Sequence, residues 1–119
     1  MPQYLVTIQL PGNYEPSVED EAMLGDMRAL GEEMEAAGVI TKFACGLTPA
    51  SNAKSLRFQP NGDVVITDGP YVEAKEHVSG FSILECADMD EALAWARKGA
   101  KACRASGEVG EIFFKPSTD

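Results

Sequence analysis

Thr67-Asp68-Gly69-Pro70-Tyr71-Val72-Glu73-Ala74-Lys75-Glu76-His77-Val78-Ser79-Gly80 lies between two apolar runs, Val64-Val65-Ile66 before it and Phe81-Ser82-Ile83-Leu84 after it. Short apolar runs bounded by turn residues read as strands. The stretch is therefore a link between two strands, and it sets how the chain is laid out on either side. It opens on a bend. Gly69 supplies a positive φ, Pro70 fixes the exit direction, and Asp68 is of the type that accepts hydrogen bonds from backbone N–H groups two residues on. Five groups that can carry charge follow closely on one another: Asp68, Glu73, Lys75, Glu76 and His77.

Working back towards the N-terminus, Val64 to Thr67 is the return strand of a hairpin. Its outgoing strand is Lys54-Ser55-Leu56-Arg57-Phe58 and its turn is Gln59-Pro60-Asn61-Gly62-Asp63, where Asn-Gly is a strong hairpin signal. Val39 to Leu47 reads as a further strand closed by Thr48-Pro49. Before it runs a helix capped at Ser17, with Glu19, Asp20 and Glu21 in the first turn and Gly38 as left-handed terminator. Met23, Met27, Leu30, Met34 and Ala37 form its apolar stripe. That stripe suits packing on a sheet, and it also suits the wall of an apolar ligand pocket. The first strand, Gln3 to Leu10, alternates with Tyr4, Val6, Ile8 and Leu10 on one face, and Pro11-Gly12-Asn13 ends it.

Towards the C-terminus, Gly80 to Cys86 is a strand. Asp88 caps a second helix with Glu91 as its capping-box partner. Met89, Ala92, Leu93, Ala96, Ala100 and Cys103 form the buried stripe, and Gly107 ends or follows the helix. Glu108 to Lys115 is the last strand. The order is strand, helix, strand, hairpin, strand, helix, strand over residues 1–119, which predicts one α+β domain. Its architecture is a split β-α-β antiparallel sheet with an extra β-hairpin and both helices on one face. The other face stays apolar, because Phe113 and Phe114 are adjacent and one ring must point away from the helices whichever register holds. Such a face predicts a homodimer packed sheet to sheet about a two-fold axis, with a ligand cavity beside the seam.

A formal charge of −9 argues against direct nucleic-acid binding and against an anionic membrane surface. No apolar run approaches a membrane-spanning length and no signal-peptide pattern opens the chain, so a cytoplasmic address is the expectation. Cys45, Cys86 and Cys103 are too few and too widely spaced for a disulfide framework or a zinc site, and each sits beside alanine as a small apolar filler. Only Cys103, between Lys101 and Arg104, has basic neighbours of the kind that lower a thiol pKa.

The run Thr67 to Glu76, followed by Gly80-Phe81, resembles the DGPF-motif branch of the YCII-related proteins, with Tyr71 where that branch usually has Phe. Ala37-Gly38-Val39, Gly46-Leu47 with Pro49 and Ala53, and Asp90-Glu91-Ala92 extend the likeness over nearly the whole chain. The resemblance implies a ferredoxin-like dimeric α+β barrel, and little about activity. Some relatives in the broader group are enzymes with a His–Asp pair, the His in the first helix and the Asp just after the second. Here the first helix has no His and Lys98 to Gly107 has no Asp, so that pair does not carry over. Other members of the branch look associated with alternative sigma factors of transcription.

The charged groups support two accounts. In one, Asp68, Glu73 and His77 are acid, base or ligand groups beside a cavity, and Lys75, Glu76, Tyr71 and Arg57 hold and orient an anionic small molecule. Gly69, Pro70 and Gly80 then shape the backbone. In the other, the charges form a solvated cluster of weak surface pairs. His77 titrates near neutral pH without help, but it lacks the second His or Cys that a metal site wants. The function expected is that of a homodimeric small-molecule-binding protein. Whether it is also an enzyme is open at this point; the groups present allow cofactor-independent proton transfer of lyase or isomerase type. The alternative is a non-catalytic regulatory or accessory protein linked to a sigma factor.

Overall fold

The computed structural model describes residues 1–11, 21–71 and 73–113. The elements are β1 (Gln3–Pro11), α1 (Glu21–Ala36), β2 (Ile40–Gly46), β3 (Lys54–Phe58), β4 (Val64–Asp68), β5 (Glu76–Glu85), α2 (Met89–Cys103) and β6 (Val109–Ile112), with a single 3₁₀ turn at Ala50–Asn52. Four strands form one antiparallel sheet in the order β2-β5-β1-β6, and β3 and β4 pair separately as a hairpin. This is an α+β fold with the hairpin set apart from the main sheet. The cap at Ser17 and the ring of Phe114 lie outside the described residues. Among those residues, no helix is long and apolar enough to cross a membrane.

Alternation along β1 decides which face the helices cover. Tyr4 and Val6 are buried, and their cross-strand partners Leu84 and Ser82 share that face. Val6, Val39 and Leu84 form a core cluster against which Met34 of α1 and Trp95 and Ala96 of α2 pack, so both helices lie on the same side. Arg104–Asp26 at 3.1 Å and a Lys98–Glu33 pair tie the helices to each other. α1 ends as the glycine predicts: Gly38 has φ 80°, its N–H donates to Glu35 and the N–H of Val39 donates to Met34. α2 starts on Asp88, whose side chain accepts from the Glu91 N–H at 2.9 Å, while Glu91 accepts from the Ala87 N–H. Gly107 follows the helix and does not end it. Arg104, not a glycine, takes the left-handed position at φ 52°, three residues before Gly107. The α2 stripe is also rotated towards α1. Leu93 is half exposed, while Ala102 is buried and Trp95 joins the core, because this helix packs on its neighbour as well as on the sheet.

The opposite face carries Leu5, Phe43, Phe81 and Ile83, with Phe43 and Phe81 ring centroids 5.8 Å apart. Gln3 donates to Glu85 there, and Lys42 lies 3.5 Å from the same carboxylate. The hairpin is still more open. Leu56 pairs with Ile66 and Phe58 with Val64, which puts four apolar side chains on one face; all are exposed, Phe58 at 76%. Its turn is the expected five-residue loop, Gln59 to Asp63, with Gly62 at φ 92°. Within the loop the Asn61 side-chain oxygen accepts from the Asp63 N–H at 2.9 Å.

Candidate functional site

The Asp68-Gly69-Pro70 bend is built differently from a turn closed by its own aspartate. Gly69, at φ 84°, donates its N–H to Ala53 at 2.7 Å, and its carbonyl accepts from the Ser55 hydroxyl at 2.8 Å. The Asp68 carboxylate points outward and receives the Lys54 ammonium from the neighbouring strand. Beyond the bend the chain folds back on the hairpin's other face. Arg57 donates to both carboxylate oxygens of Glu73, at 2.8 and 2.9 Å, and its guanidinium lies 4.4 Å from the centre of the Tyr71 ring. The Tyr71 hydroxyl donates to the Leu56 carbonyl at 2.8 Å. Arg57, Tyr71 and Glu73 thus clamp the linking stretch onto the hairpin, with stacking and a bidentate fork acting together.

Backbone hydrogen bonding at Glu73, and then the Arg57 fork, holds the Glu73 carboxyl below the ordinary carboxylate range. A lowered folded-state pKa means that the clamp is complete above the unfolded value and is lost as pH falls through the folded one. Amide exchange at Ala74 and Lys75 is therefore expected to quicken only at acid pH, below the usual glutamate range, and Arg57→Lys should move that onset upward. An onset unaffected by Arg57→Lys would mean that the fork plays no part.

His77 has a different setting. β1 and β5 keep strict register from Gln3↔Glu85 to Ile8↔Gly80, then slip by one so that Gln9 faces Val78 and Leu10 faces His77. The extra residue, Ser79, makes a bulge in β5. Without it, alternation from Leu84 and Ser82 would put His77 on the open face. With it, His77 sits opposite Leu10 on the helix side. Gly80 permits the close pairing beside the bulge, since a Cβ there would stand 2.6 Å from the Cys45 carbonyl oxygen. β5 begins at Glu76, four residues before the sequence suggests, because the bulge breaks the alternation that marks a strand.

On the helix side His77 borders a cavity of about 440 Å³ whose walls include Ile8, Leu10, Met23, Met27 and Cys103. It also borders a second hollow of about 530 Å³ under the hairpin, with Thr48, Lys54, Ser55, Pro70 and Tyr71. Leu47 to Ala50 line both hollows, so His77 stands where two spaces meet. No carboxylate of the described residues lines either one. Asp68, Glu73, Lys75 and Glu76 are exposed and away from the lining, and Arg57 is engaged with Glu73. The structure therefore brings His77, Tyr71 and Pro70 to the cavities, and joins Arg57 and Glu73 to each other.

Sequence reasoning passed over Thr48 and Ser79 as site residues, and offered Met23 and Met27 only as one of two readings of their stripe. The methionine stripe was the available signal. Of the cysteines, Cys86 is buried, at 1% exposure, as a filler, and burial pushes its thiol up; Cys103 instead forms cavity wall. Among the described residues no three His, Cys, Asp or Glu side chains gather as a metal cage.

An antiparallel sheet with two helices on one face places the chain among α+β proteins. The chain matches the model of the YCII-related domain over residues 3–113 and belongs to the YCII-related family. An uncharacterised protein of Rhizobium meliloti (strain 1021) is 36% identical to it over 101 residues, which span 82% of this chain and 80% of that protein.

Proposed function

We infer that this chain is a single-domain, homodimeric small-molecule-binding protein whose ligand is seated at the cavity bordered by His77. The observation that carries this is the β5 bulge, which turns the sole histidine from the open face into the cavity. A strand gives up regular pairing for such a bulge, and bulges recur where a side chain must be re-aimed next to a site. The cavity has the size and apolar lining of small-molecule sites, with few polar groups. The exposed Phe43, Leu5 and hairpin side chains, together with the strand order, support the two-chain ferredoxin-like barrel. Cysteines without a disulfide favour a reducing, cytoplasmic setting.

Binding, not catalysis, is the reading the geometry favours, because no described carboxylate stands by His77 to orient it or relay its proton. In this account Arg57, Tyr71 and Glu73 fix the hairpin over the second hollow, while Asp68, Lys75 and Glu76 are solvated surface charges. The test is a thermal-shift screen of a metabolite library against the native chain and His77→Gln. Compounds that stabilise the native chain should lose at least about tenfold in affinity in the variant, as expected when one buried hydrogen bond worth about 1.5 kcal/mol is lost. Equal stabilisation of both proteins would remove His77 from the site.

A further inference from the structure

The cavity at His77 continues inward. It adjoins a hollow of about 270 Å³ between the sheet and the two helices, and Ile8, Met27, Ala44 and Cys103 wall both spaces. The inner hollow reaches Met34 of α1 and Trp95 of α2, and no charged residue among those described lines it. In the outer cavity His77 is the one imidazole among the described lining residues. Its ring makes no hydrogen bond with any described residue, while its backbone carbonyl accepts from the Ser79 hydroxyl at 3.4 Å. The half-buried imidazole therefore has hydrogen-bonding capacity to offer a ligand.

Such a space discriminates by charge. A phosphate or a second carboxylate drawn into the inner hollow would lose its water with no cation among the described lining residues to replace it; the Lys98 ammonium, 5.0 Å from the centre of the Trp95 ring, is not one of them. An apolar body is favoured there by the area it removes from water. At roughly the volume of one water per atom, the 440 Å³ of the outer cavity alone holds on the order of fifteen non-hydrogen atoms. We propose that the ligand is a slender apolar molecule with a single hydrogen-bonding head, the head at His77 and the tail running inward past Met27 to Trp95. This rests on the cavity reading above and narrows it to one chemical class, amphipathic compounds with one polar end.

Trp95 is the only tryptophan in the chain, so its emission reports on the inner hollow directly. Decanoate, titrated into the full chain below its micellar range, is expected to change Trp95 emission saturably. Decanedioate, equal in length but charged at both ends, should bind at least tenfold more weakly. Ala44→Leu, at the junction of the two spaces, should abolish the emission change; Cys103→Leu serves the same purpose if the first variant folds poorly. Decanedioate binding as tightly as decanoate would overturn the proposal. So would stabilisation by decanoate with Trp95 emission unmoved, an outcome that leaves the cavity at His77 as a binding site. Equal stabilisation of the native chain and His77→Gln across the screen is a separate failure, that of the cavity reading itself.

Discussion

Gly107→Ala is expected to lower the melting temperature by on the order of 10–20 °C, through a loss of about 3–5 kcal/mol. A Cβ at Gly107 would stand 2.0 Å from the Thr7 carbonyl oxygen, and the obstacle is backbone in β1, a central strand that cannot swing aside. The segment is held there by three hydrogen bonds: Thr7 N–H to the Glu108 carbonyl at 2.9 Å, Gln9 N–H to the Ser106 carbonyl at 2.8 Å, and Glu108 N–H to the Thr7 hydroxyl at 2.9 Å. Moving the segment away to relieve the clash breaks them, at about 1 kcal/mol each before the strain is counted. Gly110→Ala is the control, since nothing lies within 4 Å of a Cβ there, and its melting temperature should change little. Urea titrations of both variants decide the matter. Equal midpoints would mean that residues 106–108 do not lie against β1 as described.

Phe58→Asp should separate the two chains of the proposed dimer while leaving each chain folded. Leu56, Phe58, Val64 and Ile66 form an apolar face on a two-stranded hairpin, and such a hairpin alone in water is marginal. Covered by a partner, Phe58 contributes about 1.5–3 kcal/mol by burial, and an unpaired carboxylate in its place costs several more. The sum weakens association by more than about a thousandfold, at one decade per 1.4 kcal/mol. Sedimentation at micromolar concentration would then show two chains for the native protein and one for the variant. A native protein that sediments as one chain, or a variant that still sediments as two, would remove the hairpin from the seam.

Most of the architecture was legible in the residues. The alternation of Tyr4, Val6, Ile8 and Leu10, the Gly38 terminator and the Asp88–Glu91 cap are local signals, and local signals survive into the fold. What was not legible depended on residues distant in sequence. Arg57 and Glu73 lie 16 residues apart, and nothing in either side chain announces the other. Reading Arg57 and Lys75 as anion-binding groups followed from charge alone; the geometry gives one of them to Glu73 and leaves the other exposed and away from the cavity lining. His77 was legible as a candidate because it is the sole histidine, but its orientation was not. One extra residue at Ser79 reverses the side to which it points, and no periodicity reports a bulge before the partner strand is known.

The placement of β1 has a bearing on how the molecule is made. Of the described strands it leaves the ribosome first, and in the finished sheet it lies between β5 and β6. Gln3 bonds to Glu85, 82 residues further along, and Thr7 to Glu108, 101 residues on. Tyr4, Val6 and Ile8 therefore wait, uncovered, until almost all of the described chain has been translated. Contacts of such long range close slowly, and nascent chains with an unsatisfied apolar strand are the ones that chaperones hold. Slowing translation over β6 should thus lengthen the window for misassembly more than slowing it over the hairpin, whose two strands are neighbours in sequence.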